Sequence, residues 1–168
     1  MRLAKKRRLE AKTDYGRRLR LLKGNKPRLV FRRTNKYIIT QYIVSESAKD
    51  KAVKGISSLE LIKYGWPKEM EGSLKSISAS YLTGYLMGKI IQKEKLETPV
   101  LDFGMLRMIH KTKSFAFLNG VIDSGVKIPC QKEAFPEKER IVGKNLKKDF
   151  SKEFEKIKSN IDKKWKIK

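Results

Sequence analysis

The sequence predicts an α/β protein in which helices pack against a mixed β-sheet. Segments with strand character and segments with helical periodicity alternate along the middle of the chain, in the order hairpin, strand, helix, strand and helix. Hydrophobic residues make up 39% of the 168 residues, which is enough to bury one sizeable core. The pattern divides the chain into a basic N-terminal arm (1–25), an α/β core (26–143) and a lysine-rich amphipathic C-terminal helix (144–168).

The charge of the chain is concentrated at its two ends. The formal net charge is +23, of which +13 falls in residues 1–36, +4 in residues 37–143 and +6 in residues 144–168. Such an excess repels itself unless a polyanion neutralises it, so nucleic acid is the expected partner and an anionic membrane surface the second choice. No apolar run approaches the roughly 20 residues of a membrane span. No apolar segment of a secretory signal follows the basic N-terminus, so we expect a soluble intracellular protein.

The basic arm contains a predicted helix over residues 5–23. Four of its apolar residues fall roughly on one face, and arginines are spread around them. The apolar residues are Leu9, Tyr15, Leu19 and Leu22. Gly24 and Asn25 follow and end the predicted helix.

Residues 27–44 are predicted to form a β-hairpin. One strand is the apolar run 29–31, and the other is the β-branched and aromatic run 37–44. Thr34 and Asn35 are the expected turn, because asparagine tolerates a positive φ. The cations beside this turn lie next to Tyr37, an arrangement that would hold a phosphate and stack on an unpaired base. The alternative is that Tyr37 packs at the sheet edge.

A third strand and a short helix are predicted after the hairpin. The strand covers about residues 51–56. Ser57 and Glu60 have capping-box spacing, which places the start of a helix directly after the strand. Gly65 ends this helix.

The main helix is predicted over about residues 74–94, with Ser73 or Ser76 as its N-cap. Gly84 and Gly88 lie one turn apart on it. Because glycine inside a helix costs about 1 kcal/mol relative to alanine, the pair indicates a close backbone approach to a strand or to a partner. Packing of this helix on the sheet is the favoured interpretation.

A buried strand and a second helix complete the predicted core. The continuous apolar run 99–104 predicts the strand. The helix covers residues 114–124 and has Gly125 at its C-terminal end.

The C-terminal segment predicts an amphipathic helix of about six turns. Its apolar residues recur every three or four positions. They are Leu146, Phe150, Phe154, Ile157, Ile161 and Trp165. This face would pack on its own domain, dock on another protein or lie along RNA. Its amphipathic pattern also fits a membrane surface, but nothing else in the chain supports that alternative.

Residues suited to catalysis are scarce. Acid–base catalysis needs two positioned acids, but Asp102 and Asp123 each have a structural explanation at the end of an element. The single cysteine, Cys130, and the single histidine, His110, exclude a disulfide framework and a multi-cysteine zinc site, and no spacing rule links them as a dyad. No glycine-rich phosphate loop is present. We therefore predict no enzymatic activity, no metal and no cofactor.

Seven motifs in order resemble a known family over about residues 5–145. They are TDYGRRL (13–19), KPRLV (26–30), RTNKY (33–37), KYGW (63–66), ASYLTG (79–84), LDFG (101–104) and FAFLNGVIDSGVKIP (115–129). The set is similar to the 5S-rRNA-binding protein family of the large ribosomal subunit, numbered eighteen in that subunit, in its archaeal and eukaryotic branch. One departure is Cys130, which stands where the family usually has histidine.

The resemblance implies a ribonuclease-H-like α/β domain without nuclease activity. It also implies binding to 5S rRNA in the central protuberance, where 5S rRNA meets the large-subunit rRNA and neighbouring 5S-binding and central-protuberance ribosomal proteins. The expected location is the large subunit of the cytoplasmic ribosome, with no membrane and no small-molecule substrate. Two alternatives are an RNA-processing or RNA-modifying enzyme on the same fold and a general nucleic-acid-binding architectural protein.

The RNA-binding residues we predict lie on the arm and the hairpin. Phosphate neutralisation by their cations would supply most of the affinity. The arm residues are Arg7, Arg8, Lys12, Tyr15, Arg17, Arg18, Arg20 and Lys23, and the hairpin residues are Arg28, Arg32, Arg33, Asn35, Lys36 and Tyr37.

Overall fold

A computed structural model describes residues 5–47, 49–146 and 149–165 of the chain. Its strands are β1 (Arg28–Arg33), β2 (Ile38–Glu46), β3 (Lys49–Ser57) and β4 (Val100–Asp102). Its α-helices are α1 (Lys6–Leu9), α2 (Tyr15–Lys23), α3 (Ile77–Lys93), α4 (Lys113–Asp123), α5 (Lys138–Val142) and α6 (Ser151–Lys164). Short 3-10 helices cover Ser58–Tyr64, Lys68–Ser73 and Lys132–Ala134.

The four strands form one mixed sheet in the order β3-β2-β1-β4. β1 and β2 pair antiparallel, as do β2 and β3, whereas β4 runs parallel to β1. The predicted α/β class with a mixed sheet and packed helices is therefore confirmed; the ribonuclease-H-like assignment stays an implication of the resemblance. The prediction of a buried strand at 99–104 is only partly right, because β4 is an edge strand of the described sheet and Val100 is exposed.

The hairpin turn differs from the prediction by one residue. The amide of Thr34 donates to the carbonyl of Tyr37 at 2.9 Å, and the amide of Tyr37 donates to the hydroxyl of Thr34, also at 2.9 Å. Asn35 and Lys36 therefore form the turn. Asn35 does not take a positive φ, contrary to our reason for placing it there. The threonine hydroxyl instead closes the turn.

The predicted helix starts are largely confirmed. Ser57 accepts a hydrogen bond from the amide of Leu59, and the helix that it opens is a 3-10 helix that ends at Gly65 with a φ of 105°. Of the two candidate caps for the main helix, Ser76 is the one used, because its hydroxyl accepts from the amide of Ala79 at 3.2 Å.

Glycines bring α3 and α4 into direct backbone contact. A Cβ at Gly84 would collide with the carbonyl oxygen of Phe117, and a Cβ at Gly120 would collide with the carbonyl oxygen of Tyr81. The close approach predicted for Gly84 is therefore real, but its partner is a helix. Our preference for helix-on-sheet packing at these glycines was therefore wrong. Glycine lacks a Cβ atom, and this lets the two helix backbones approach so closely.

The C-terminal helix packs on its own core. Phe154, Ile157 and Ile161 are buried in the core cluster of the sheet and α3. The side-chain amide of Asn160 donates to the carbonyl of Tyr64 at 2.9 Å, and the indole of Trp165 donates to the hydroxyl of Tyr64 at 2.8 Å. Of the partners left open for this helix, its own domain is the one the structure shows.

Helix α6 is shorter than the six turns predicted, since it has 14 residues. It begins at Ser151, whose amide donates to the carboxylate of Asp149 at 2.9 Å. Leu146 is exposed outside the helix, whereas Phe150 just before it is buried against Trp66. The predicted helix also included residues 147–148 and 166–168, which lie outside the described residues. None of the helices in the described ranges combines the length and the apolar composition that a bilayer crossing requires.

Candidate nucleic-acid interface

The basic arm folds into two helices instead of the single predicted helix. Helix α1 ends near Glu10, and Ala11 takes a φ of 50°. Asp14 then caps α2 by accepting from the amide of Arg17 at 3.0 Å. A short side chain that caps a helix competes with continued helix, which explains the break. The same hydrogen bond lowers the pKa of Asp14, so this cap stays ionised at neutral pH. Helix α2 ends at Lys23, directly before Gly24 and Asn25, where the end of the arm helix was predicted.

Two neighbouring arginines attach α2 to the core. Arg17 donates to the carbonyl of Gly104 at 3.0 Å, and Arg18 forms an ion pair with Asp50 at 2.8 Å. Gly104 lies two residues beyond β4 and Asp50 lies on β3, so the two contacts reach opposite edges of the sheet. The arm is therefore held against the core by contacts that span all four strands.

A network of alternating charges lies beneath the arm. Arg28, whose side chain is 3% exposed, binds Asp50 at 2.7 Å and Asp102 at 3.4 Å. Arg32 binds the same Asp102 carboxylate at 3.2 Å and donates to the Asp102 carbonyl at 2.7 Å. We call this set the arm-anchoring network; it consists of Arg18, Asp50, Arg28, Asp102 and Arg32. Arg28 is bound within this network, and its side chain is almost fully buried.

The ionised form of Asp50 is favoured by its surroundings. Partial burial raises its pKa, but hydrogen bonds from Ser45, Arg18 and Arg28 outweigh burial and leave the pKa below its ordinary value. The Nε atom of Arg28 is buried without a hydrogen-bond partner among the described residues. The arginine thus depends on its two aspartates for compensation of its buried charge.

A cleft of about 390 Å³ lies between the arm and the core. We call it the arm cleft. Six cationic side chains line it, and two carboxylates lie among them. The cations are Arg7, Lys12, Arg17, Arg18, Arg28 and Arg32, and the carboxylates belong to Asp14 and Asp102. Because cations outnumber acids three to one, the cleft attracts anions.

The remaining arm residues differ in how far they are engaged. Arg7 donates to Thr13 at 3.0 Å, and Lys12 pairs with Glu10 at 2.7 Å. Within the described ranges, Arg8, Arg20 and Lys23 are exposed and form no ion pair. Tyr15 is half-buried, and the ammonium of Lys5 lies 4.4 Å from its ring centre.

The hairpin tip, which we define as residues 33–37, presents both charge and an aromatic ring. Arg33, Asn35 and Lys36 are exposed, and neither cation forms an ion pair with a described residue. Tyr37 is half-buried and packs against the core cluster. The ring therefore offers only part of its surface to a base.

Acidic side chains in the core are occupied as counterions and hydrogen-bond acceptors. Asp102 binds two arginines, and Asp123 accepts from the hydroxyl of Tyr81 at 2.6 Å. In the described ranges, no three or more histidine, cysteine or acidic residues come together as a possible metal site. The single histidine, His110, packs edge-on against Phe115, and Cys130 contacts the carbonyl of Gln131.

The structure adds residues that sequence analysis missed. Asp50 was not singled out, because it stands in a charged stretch with no local signal for its partners 22 and 32 residues away. The cations around the start of α4 were also missed: Arg107, Lys111, Lys113 and Arg140. They come from separate segments, so only the folded chain brings them together.

The comparisons identify the family of the chain. Residues 1–100 match the model of the family described as "Ribosomal large subunit proteins 60S L5, and 50S L18". The chain belongs to this family. The resemblance inferred from the seven motifs is thereby confirmed, and membership makes the chain a structural ribosomal protein and not an enzyme.

The matches to curated relatives cover most of the chain. One, "Large ribosomal subunit protein uL18" of Korarchaeum cryptofilum, is 41% identical over 84% of this chain and 70% of its own length. Proteins of the same name from Methanoregula boonei and Methanothermobacter thermautotrophicus are 35% and 37% identical. These matches cover 86% and 95% of this chain and 80% and 88% of the two relatives. The match to the Methanothermobacter thermautotrophicus protein therefore includes the core and most of both basic ends.

Proposed function

We propose that this chain binds 5S rRNA and helps to attach it to the large-subunit rRNA in the central protuberance of the cytoplasmic ribosome. Its neighbours there would be other 5S-binding and central-protuberance ribosomal proteins. The observation that carries the proposal is that some cations of the arm bond to the core and others do not. Arg17 and Arg18 bond to the core, whereas Arg20 and Lys23 on the same helix have no such bond in the described structure.

The inward-facing arginines prepare the arm for binding. A charged arm that becomes ordered only on binding loses conformational entropy at that step, which weakens the complex. The contacts of Arg17 and Arg18 with the core would hold α2 in place before RNA arrives. Arg28, whose side chain is 3% exposed, would contribute to RNA binding mainly by holding the arm-anchoring network together.

The exposed cations would make the direct phosphate contacts. On the arm these are Arg8, Arg20 and Lys23. The arm cleft adds Arg7, Lys12, Arg17 and Arg18 from the arm and Arg32 from β1. On the hairpin tip they are Arg33 and Lys36, with Asn35 and the partly exposed rings of Tyr15 and Tyr37 available to unpaired bases. Recognition by shape and by unpaired bases suits RNA, because side chains cannot read the narrow major groove of its double helix.

A gel-shift series tests the proposal with 5S rRNA, tRNA and duplex DNA at increasing salt. We expect 5S rRNA to be preferred and the preference to survive moderate salt. Equal affinity for all three at every salt concentration would instead indicate a general architectural protein.

A charge-neutralising variant tests the direct contacts of the arm. Arg20→Gln with Lys23→Gln should weaken 5S rRNA binding by roughly tenfold and lower the slope of log K against log salt by about 1.5, the value for two lost phosphate contacts. Lys152→Gln with Lys156→Gln removes the same charge from exposed positions on α6 and is the matched control. If the control weakens binding as much as the arm variant, net charge and not the arm determines the affinity.

A further inference from the structure

A second cationic hollow lies at the start of α4. It is a groove of about 500 Å³ between the end of β1, the segment 105–112 and α5. Its floor is apolar: Phe31 is fully buried there, and Ile77 and Leu106 are half-buried. Its rim carries two apolar side chains that are mostly exposed, Met105 at 53% and Ile109 at 58%. We call this hollow the α4 groove.

Four of the five cations of the α4 groove form no ion pair with a described residue. Five line it, namely Arg33, Arg107, Lys111, Lys113 and Arg140. Of these, only Lys111 forms an ion pair with a described residue, a 3.5 Å contact with the exposed Glu137. Like charges held together in this way repel each other unless an external anion neutralises them.

Lys113 lies within the field of neighbouring positive charges. Its pKa is lowered by partial burial and, in addition, by the charges of Arg33 and Lys75. Lys113 is also the first residue of α4, whose first turn receives no side-chain cap from the described N-cap residue Thr112. The positive end of the helix dipole therefore adds to the cationic potential of the groove.

We propose that the α4 groove binds an unpaired segment of RNA, with a base against Met105 and Ile109 and the phosphates on the surrounding cations. Apolar side chains beside cations are suited to a splayed-out base, whereas the bases of a double helix are already stacked. The volume lies in the ~300–1,000 Å³ range of sites that enclose small organic groups. The inference rests on the proposed function, because it extends the RNA path beyond the arm.

Continuity with the arm favours RNA over an acidic protein segment. Met105 lines the α4 groove and also a smaller hollow that Arg8 and Tyr15 border. Gly104, its neighbour in the chain, lines the arm cleft. Residues 104–105 therefore join the two cationic hollows, so that one polyanion can contact both.

Fluorescence anisotropy with the full chain tests the inference, using a short single-stranded RNA of mixed sequence and a short RNA duplex as probes. Arg107→Ala with Lys113→Met should weaken single-strand binding about tenfold by removing two phosphate contacts. Met105→Ser with Ile109→Ser leaves the charge unchanged and should weaken single-strand binding about fivefold, with duplex binding unaffected, because only an unpaired base uses the apolar rim. Lys152→Ala with Lys156→Ala is the control for charge and should change either affinity less than about twofold.

Three results would overturn the inference. In the first, the charge control weakens single-strand binding as much as Arg107→Ala with Lys113→Met does. In the second, Met105→Ser with Ile109→Ser leaves single-strand binding unchanged or weakens duplex binding equally. In the third, an acidic peptide binds the wild-type chain more tightly than the single strand and loses that affinity in the groove variants, which would assign the groove to a protein partner.

The test separates this inference from the proposed function. Loss of the 5S rRNA preference in the gel-shift series refutes the proposed function whatever the groove variants do. A preserved 5S preference together with groove variants that bind single strands normally refutes the groove alone. Thermal unfolding of each variant, with an unchanged midpoint expected, shows that the affinities compare folded proteins.

Discussion

Replacing Asp50 with asparagine removes the negative charge that lies between Arg18 and Arg28. The carboxylate is 2.8 Å from the first guanidinium and 2.7 Å from the second, and the side chain of Arg28 is 3% exposed. Removing one partner of a buried ion pair costs about 3–5 kcal/mol. Here Asp50 is itself 28% exposed and Arg28 keeps Asp102 at 3.4 Å, so we discount the loss to about 2 kcal/mol.

Urea unfolding measures this loss. With a slope of about 2 kcal/mol per molar, a loss of about 2 kcal/mol lowers the urea midpoint by ~1 M. Glu71→Gln is the control, because Glu71 is exposed and forms no ion pair with a described residue. Limited proteolysis gives a second readout: cleavage within 15–23 should become faster in Asp50→Asn, since the ion pair with Arg18 attaches α2 to β3.

The pH dependence of the same variant tests the electrostatic origin of the effect. The pKa of Asp50 is lower in the folded than in the unfolded chain, so its ionisation stabilises the fold above the unfolded value of about 3.9. That stabilisation is lost as the pH falls through the folded value. The difference in unfolding free energy between wild type and Asp50→Asn should therefore be constant from about pH 7 to 5 and shrink below about pH 4.

Two results would refute the reasoning. One is a urea midpoint for Asp50→Asn equal to that of Glu71→Gln, because Arg28 would then not depend on Asp50. The other is a loss of stability that stays the same down to the lowest pH at which the chain folds, because packing and not charge would then be its cause.

Two further variants test the packing of the core. Gly120→Ala should destabilise the chain by about 1–3 kcal/mol, because the new Cβ would collide with a carbonyl oxygen of α3. Gly72→Ala, where no atom lies within 4 Å, is the control and should be nearly neutral. Equal midpoints of the two variants in thermal unfolding would contradict the close helix contact. Phe154→Ala should lower the free energy of unfolding in urea by about 3–5 kcal/mol, because the side chain is buried between α6 and α3. Leu146→Ala at an exposed position is the control. A small effect at Phe154 would mean that α6 is not docked on the core in solution.

Elements that depend on near neighbours in the chain were predictable. The two hairpin strands are recognisable because β-branched and aromatic residues follow one another, and antiparallel pairing needs only a short turn. The caps at Ser57 and Ser76 were recognisable for the same reason, since a cap bonds to an amide two or three residues ahead. The break in the arm at Asp14 was missed, although its signal was also local, because the apolar face continues across it.

Contacts between distant segments could not be predicted in this way. Gly84 indicated a close approach, but Phe117 on α4, which supplies the partner backbone, lies 33 residues further along the chain. Arg28 and Asp102 are 74 residues apart in sequence, and nothing in either motif indicates that they pair. Spacing rules describe one helix or one strand, whereas these contacts arise from the way elements pack.

The sequence by itself determined where the positive charge lies, which segments form the hairpin and the main helices, and, through seven motifs, the family. Each of these is a property of composition or of local order. Only the tertiary structure decided which cations are engaged within the protein: Arg28 looks like its neighbours in sequence but is buried between two aspartates, whereas Arg20 and Lys23 are exposed. The physical reason is that the free energy of a charge depends on its distance from other charges and from water, and only the packed chain sets both distances.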